Sequence, residues 1–226
     1  MAQEIELRHF WFSGLHLPLH SHSESHNLHI LLLSAMPYGE YGSGSDYWNA
    51  RYTEKPETHE WLISNPKFND SQYLELRSIV EEVSGGSQAC KILHVGCGNS
   101  ALPERLYDDG YHNILNIDTS DVVISQMQQR NEARPEMTWA VIDALDTAYD
   151  EASFDIVIDK SLLDTFACIK GGATETVASY LKEMIRVLRP GGALVCVSLA
   201  ERGKFLGKSE LEYELRGPRN THIVRK

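Results

Sequence analysis

Glycines and small polar residues directly follow the first strongly apolar segment of this sequence. Residues 91–95 (KILHV) lead into Gly96-Cys97-Gly98-Asn99-Ser100-Ala101. Glycines at such a place let backbone N–H groups approach a ligand at the start of a helix, as in the GxGxxA loop of dinucleotide-binding domains. The same residues also suit a plain strand-to-helix turn, so this loop indicates a ligand site only together with other groups.

Carboxylates follow the next three apolar segments in the same manner. Asp118 lies 22 residues beyond Gly96, a spacing at which a carboxylate can accept both hydroxyls of a ribose. Asp143-Ala144 offers an acceptor for the exocyclic amine of an adenine, and Asp159-Lys160 is followed by Asp164. Each of these has an ordinary explanation as a helix cap, a surface acid or a surface ion pair. Their shared position and their order favour a nucleotide-like ligand.

Apolar periodicity places these groups on alternating strands and helices. Strands are predicted at residues 91–95, 114–117, 139–142, 154–158 and 193–198, and helices at 66–83, 101–109, 121–133 and 174–188. Residues 211–215 and 222–224 could add a terminal hairpin around Gly217-Pro218. The alternation predicts an α/β fold with a Rossmann-like, doubly wound, mostly parallel sheet. Such a sheet binds ligands at the carboxyl ends of its strands, where the glycines and carboxylates occur.

The first 45 residues differ from the rest of the chain. Six of the ten histidines lie there, at positions 9, 16, 20, 22, 26 and 29, and residues 39–45 have the composition of a flexible linker. Clustered histidines can bind metal, but no acidic or cysteine partners are interleaved at a fixed spacing, so we expect no metal site. We expect residues 1–45 to form a poorly ordered extension and linker, and residues 46–226 to form one domain.

Charge and apolar content exclude several classes of function. The net charge is −11, divided into −14 over residues 1–200 and +3 over residues 201–226. An acidic chain repels phosphate backbones, so we expect no nucleic-acid partner, and a cationic ligand or basic protein fits better. No apolar run approaches the roughly 20 residues of a membrane span. Four scattered cysteines suggest reduced thiols, and we expect a cytoplasmic protein.

Residues 92–100 (ILHVGCGNS) resemble the cofactor loop of S-adenosylmethionine-dependent methyltransferases. Three further segments narrow the resemblance to the eukaryotic methyltransferase-like family that includes lysine methyltransferases of translation elongation factor 1-alpha. These segments are residues 47–52 (YWNARY), 59–61 (HEW) and 153–160 (SFDIVIDK). The resemblance covers residues 46–198. It implies the seven-strand methyltransferase fold, S-adenosyl-L-methionine as cofactor, and methyl transfer to a lysine of a protein such as this elongation factor. This chain departs from its relatives in its short C-terminal zone, for which we expect a shortened hairpin. An acidic domain would suit a basic protein partner.

The resemblance also implies roles for individual residues. The implied cofactor-binding residues are Trp48, Tyr52, Trp61, Gly96, Gly98, Asp118, Thr119, Asp143, Ala144 and Lys160. In this assignment the aromatic residues cover the cofactor, the glycines meet its amino-acid end, residues 118–119 hold the ribose, and residues 143–144 hold the adenine. Asp159 and Asp164 are the catalytic candidates, in the sense of orienting the acceptor. Two departures from the family pattern are Asn49, where an aspartate is usual, and Ser161-Leu162, where Gly-Thr is usual.

Other functions remain open at this point. A small-molecule methyltransferase or an aminopropyl transferase shares this type of fold and its acidic crevice. A non-catalytic cofactor-binding module would fit the altered Ser161-Leu162 and the short C-terminal segment. A nicotinamide-dependent dehydrogenase fits least well, because no hydride-site histidine or Tyr/Lys pair is evident.

Overall fold

The described part of the chain alternates strands and helices, as the apolar periodicity predicts. A computed structural model describes residues 41–61, 70–206, 211–216 and 220–226. The predicted N-terminal extension, apart from residues 41–45, lies outside these ranges, as do its six histidines and the first residues of the helix predicted from position 66. Within the described ranges, no helix is long and apolar enough to cross a membrane.

Seven helices and seven strands are formed by the described residues. The helices are α1 (Ser45–Glu54), α2 (Asp70–Val83), α3 (Leu102–Asp108), α4 (Asp121–Arg130), α5 (Leu162–Ala167), α6 (Ala173–Val187) and α7 (Gly203–Leu206). The strands are β1 (Ile92–Val95), β2 (Ile114–Asp118), β3 (Thr138–Val141), β4 (Phe154–Lys160), β5 (Leu188–Val197), β6 (Glu212–Arg216) and β7 (Thr221–Arg225). All five predicted strands and the terminal hairpin are therefore present.

The strands form one sheet in the order β3-β2-β1-β4-β5-β7-β6. β1 to β5 pair in parallel, and β7 runs antiparallel to both β5 and β6. This confirms the predicted Rossmann-like, mostly parallel fold. The strand order reverses between β1 and β4, which is where ligands bind to sheets of this kind.

Both faces of the sheet are covered, which explains why its central strands are almost wholly apolar. α6 presents Val177, Tyr180, Met184 and Val187, all fully buried, at the three- and four-residue spacing of one helix face. The opposite face packs against α2 and α3. With helices covering both faces, a ligand can approach the parallel sheet at the ends of its strands.

Several element ends differ from the predicted ones. α4 ends at Arg130, three residues before the predicted end, and Ser120 caps its start, because the Ser120 hydroxyl accepts a hydrogen bond from the Val123 N–H at 3.2 Å. β5 begins at Leu188, five residues early, because residues 191 and 192 pair with Lys226 through two backbone hydrogen bonds. The helices α1, α5 and α7 were not predicted from the sequence.

Candidate active site

The parallel register brings three of the singled-out groups side by side at one edge of the sheet. Val95 is aligned with Ile117 on β2 and with Asp159 on β4. The next residues, Gly96, Asp118 and Lys160, therefore lie next to one another where the strand order reverses. Their positions agree with the sequence-based expectation that the strand ends build one site.

The loop after β1 requires its two glycines. Gly96 and Gly98 have φ angles of +57° and +51°, a region that side chains other than glycine rarely adopt. A Cβ at Gly96 would lie 2.9 Å from the Leu162 Cβ, and one at Gly98 would lie 2.7 Å from the Tyr52 hydroxyl oxygen. The loop is thus shaped to present its backbone, with α5 and α1 close on either side.

Asp118 holds this loop from β2. One carboxylate oxygen accepts a hydrogen bond from the Gly98 N–H at 3.0 Å and the other accepts from the Ser120 N–H at 3.0 Å. Burial raises the pKa of Asp118, and these backbone donors oppose that rise. Since a carboxylate has about four acceptor positions, these backbone donors do not use up its capacity to accept from a ligand.

The predicted adenine-side residues lie at the neighbouring strand end. The Ile142 N–H donates to the Asp118 carbonyl at 3.0 Å, which ties the end of β3 to the end of β2. Asp143 is exposed and accepts from the Leu145 N–H at 2.9 Å, whereas Ala144 is buried. Thr119 is exposed beside Asp118. The structure thus brings residues 118, 119, 143 and 144 to the same edge.

An aromatic cluster lies over the glycine loop. Trp48 stacks on Tyr52 with ring centroids 5.7 Å apart and contacts Trp61 edge-on at 6.0 Å. The guanidinium carbon of Arg51 lies 5.1 Å from the centroid of the Trp61 ring. Tyr41 meets Trp61 edge-on at 5.6 Å. The three aromatic residues singled out in the sequence are therefore one packed group, and the Tyr52 hydroxyl lies close to Gly98.

Asn49 attaches α1 to the start of α4. Its amide nitrogen donates to the Asp121 carboxylate at 2.7 Å, and its amide oxygen accepts from the Ser120 hydroxyl at 2.5 Å. An aspartate at position 49 could not donate to Asp121. The departure from the family pattern thus has a local physical reason.

A buried ion pair, for which the sequence carries no local signal, joins the aromatic segment (residues 47–61) to β4. The Lys160 Nζ lies 3.1 Å from the Glu60 Oε2, and the two side chains are 4% and 1% exposed. Glu60 also accepts from the Ser100 hydroxyl at 3.0 Å and from the Ala101 N–H at 2.6 Å. One carboxylate therefore links residues of the aromatic segment, the glycine loop and β4.

Arg130 provides a second link that sequence reasoning missed. Its guanidinium donates to the carbonyls of Asn99 and Ser100 at 3.2 and 3.0 Å and to the Thr58 hydroxyl at 2.8 Å. A lone arginine at the end of an amphipathic helix carries no sequence signal for this contact. The pairing becomes evident only when α4 packs beside the loop.

The two catalytic candidates make mainly internal contacts. Asp159 is fully buried; it accepts from the Tyr180 hydroxyl at 2.7 Å and from the Leu162 N–H at 2.8 Å. Burial raises the pKa of Asp159 to about 7. Asp164 accepts from the Ser198 hydroxyl at 2.6 Å and pairs with Arg202 at 2.7 Å. These contacts favour positioning of α5, and direct orientation of an acceptor by either carboxylate stays a prediction.

The residues present fit an S-adenosylmethionine molecule. The glycine cradle offers backbone groups, Asp118 retains acceptor positions, and aromatic faces, which attract cations, lie above. Two buried polar atoms nearby, the Asn99 Oδ1 and the Ser161 Oγ, have no hydrogen-bond partner. A buried polar atom without a hydrogen bond costs free energy. Such atoms are expected at a place where a bound ligand supplies the missing partner. Across the described ranges, no group of three or more metal-binding side chains is found.

Comparisons with known proteins agree with this chemistry. A family model described as a methyltransferase domain matches residues 93–196. The "eEF1A lysine and N-terminal methyltransferase" of Mus musculus is 38% identical over 165 residues, and that of Xenopus laevis is 40% identical over 159 residues. These matches cover 72% and 69% of this chain but 22% of each relative, so the chain spans about a fifth of their length. The "EEF1A lysine methyltransferase 4" of Mus musculus is 29% identical, over 75% of this chain and 68% of its own.

Solved structures share the fold at lower sequence identity. The magnesium protoporphyrin IX methyltransferase from Synechocystis PCC 6803 with bound SAM has a TM-score of 0.58 and 16% identity, over 83% of this chain and 97% of that one. The bifunctional kinase-methyltransferase WbdD has a TM-score of 0.60 and 16% identity, over 79% of this chain and 46% of that one.

Proposed function

Since the chain belongs to the S-adenosylmethionine-dependent methyltransferases, we propose that it transfers a methyl group to a lysine of a protein, with eEF1A as the favoured substrate. The observation that carries this proposal is the similarity, at 37 to 40% identity over about 70% of the chain, to vertebrate proteins named for methylating eEF1A. The acidic character of the chain, with a net charge of −11, favours a basic protein partner over nucleic acid. A cytoplasmic location is part of this proposal.

In the proposed function the strand-end residues hold the cofactor. Gly96 and Gly98 present backbone groups to its amino-acid end, Asp118 and Thr119 take the ribose, and residues 143–144 take the adenine. The stacked Trp48 and Tyr52 exclude water from above. When bound, S-adenosylmethionine supplies an electrophilic methyl group carried on its sulfonium. The task left to the protein is to place the acceptor in line, which can contribute about 7–11 kcal/mol in favourable cases.

The acceptor amine must arrive without its proton. At pH 7, deprotonating a lysine with a pKa of about 10.4 costs about 4.6 kcal/mol, whereas deprotonating an N-terminal amine with a pKa of about 7.8 costs about 1 kcal/mol. Desolvation at the site lowers both costs because it disfavours the charged amine. A lysine acceptor therefore predicts a methylation rate that keeps rising well above pH 8, and an N-terminal acceptor predicts a plateau near pH 8.

The N-terminal amine is a second candidate acceptor, because the names of the relatives include N-terminal methylation. Purified eEF1A with a free or a chemically blocked N-terminus separates the two. Peptide mass spectrometry after incubation with isotope-labelled cofactor should locate the methyl group on a lysine in both preparations. Label that disappears when the N-terminus is blocked would reassign the acceptor.

Incubation of the protein with labelled cofactor and cell lysate tests the wider proposal. We expect label in the protein fraction, with Asp118→Asn strongly reducing it and Asp108→Asn, at the exposed end of α3, leaving it unchanged. Label found only in small molecules would favour a metabolite methyltransferase or an aminopropyl transferase, and label in RNA would reject protein methylation. Cofactor binding without transfer to any fraction would favour a non-catalytic binding module.

A further inference from the structure

The ion pair of Glu60 and Lys160 is unusual in being almost completely removed from water. Its atoms lie 3.1 Å apart and its side chains are 4% and 1% exposed. Burying two charges carries a desolvation cost that their attraction often fails to offset. Stability alone therefore does not account for an ion pair at this position.

The lysine of this pair lies where a positive charge opposes cofactor binding. Lys160 is level with Gly96 in the sheet, since Val95 is aligned with Asp159. S-adenosylmethionine carries a permanent positive charge on its sulfur. An uncompensated ammonium at the same strand end would repel that sulfonium, and more strongly in a dry crevice than in water.

Glu60 is placed to cancel that charge. The Ser100 hydroxyl at 3.0 Å and the Ala101 N–H at 2.6 Å hold its carboxylate against Lys160. Asp159, the neighbour of Lys160 on β4, bonds instead to Tyr180 of α6 on the other face of the sheet. His94 adds no charge, because burial lowers its pKa to about 4 and it remains neutral beside Asn116.

We propose that Glu60 is a charge-compensating positioning residue, which neutralises Lys160 so that the site does not disfavour the cationic sulfonium of S-adenosylmethionine relative to the neutral thioether of S-adenosylhomocysteine. The inference rests on the cofactor of the proposed function and is independent of the acceptor. It gives the aromatic segment an electrostatic task besides covering the crevice. It also keeps S-adenosylmethionine competitive with the demethylated product after each transfer.

Calorimetric titration of both ligands into four forms of the full chain tests this. The forms are wild type, Glu60→Gln, Lys160→Met and the double variant. Glutamine keeps the shape of glutamate, and methionine keeps an unbranched chain one atom shorter than lysine, so the main change in each is the charge. Glu60→Gln should weaken S-adenosylmethionine binding about tenfold relative to S-adenosylhomocysteine. Lys160→Met, which leaves Glu60 alone, should shift the ratio of the two dissociation constants in the opposite direction. The double variant should return the ratio to near the wild-type value.

The ratio of the two dissociation constants is the informative readout. Partial unfolding or a merely structural role would weaken the binding of both ligands equally, so its effect would cancel in this ratio. Asp108→Asn, which removes a carboxylate from an exposed ion pair at the end of α3, should leave the ratio unchanged. Equal changes for both ligands in Glu60→Gln and Lys160→Met, or no change in either, would overturn the inference. Absence of S-adenosylmethionine binding by the wild type would instead overturn the cofactor of the proposed function.

Discussion

Replacing Gly98 with alanine tests how closely the aromatic segment packs on the glycine loop. Gly98 has a φ of +51°, and a Cβ there would lie 2.7 Å from the Tyr52 hydroxyl oxygen. The left-handed backbone costs an alanine about 1–2 kcal/mol, and overpacking adds about 1–3 kcal/mol. Gly98→Ala should therefore lower the free energy of unfolding by about 2–5 kcal/mol.

The two contributions can be separated with matched variants. The Tyr52 atoms next nearest to the added Cβ lie at 3.6 and 4.0 Å, so Tyr52→Phe removes the close contact and leaves ordinary van der Waals distances. In the Tyr52→Phe background, Gly98→Ala should cost only the backbone part, about 1–2 kcal/mol. Gly191→Ala is the control, because Gly191 has a φ of +78° and a Cβ added there would meet nothing within 4 Å.

Urea unfolding followed by tryptophan fluorescence measures each value. A double-mutant cycle of Gly98→Ala and Tyr52→Phe should show a coupling of about 1–3 kcal/mol. A coupling below about 0.5 kcal/mol would refute the packing of Tyr52 on the loop, since distant sites are additive within that limit. Equal costs for Gly98→Ala and Gly191→Ala would lead to the same conclusion.

Three further variants address α5 and its supports. Ser161 has a φ of +81°, a conformation that is strained for serine and relaxed for glycine. Ser161→Gly should therefore raise the free energy of unfolding, measured by urea titration, by about 1–2 kcal/mol. A decrease would mean that the Ser161 hydroxyl has a stabilising partner. Because burial raises the pKa of Asp159 from 3.8 to about 7, its contribution to stability is present below about pH 4 and is lost as the pH rises through about 7. Asp159→Asn should flatten the fall in stability across that window, and an unchanged slope would contradict the raised pKa. Arg202→Met should destabilise by about 3 kcal/mol in thermal unfolding, because it leaves the buried Asp164 without its cation, and a loss below about 1 kcal/mol would show that this carboxylate does not need the pair.

Local patterns were sufficient to predict the strands and the loop that follows β1. Each central strand is a short apolar run bounded by glycine or polar residues, so hydrophobic periodicity locates it without knowledge of its neighbours. The glycines at 96 and 98 and the carboxylate at 118 likewise stand at set distances along one βαβ unit. The parallel register then brings those residues together.

The short helices were harder to predict because tertiary contacts stabilise them. α5 has six residues and follows a left-handed Ser161 at its N-cap, a conformation that no propensity favours. Its start is held by the Asp159 carboxylate, which accepts from the Leu162 N–H, and Arg202 holds Asp164 within it. α1 depends in the same way on Asn49 and on the packing of Tyr52.

The residues that line the strand ends could be predicted from the sequence, whereas the residues that hold the aromatic segment over those ends could not. Composition and spacing identify the first set, since the chemistry of a nucleotide-like ligand requires glycines and carboxylates after successive strands. Glu60 belongs to the second set: it meets Ser100 and Lys160, which are 40 and 100 residues away in the chain. A single glutamate forms no periodic pattern in the sequence. Its partner is determined by the folded structure, because a buried charge must be paired with an opposite charge. The sequence alone therefore predicts which residues lie at the strand ends and what kind of ligand they suit. The charge balance of the site is decided by the packing of the folded chain.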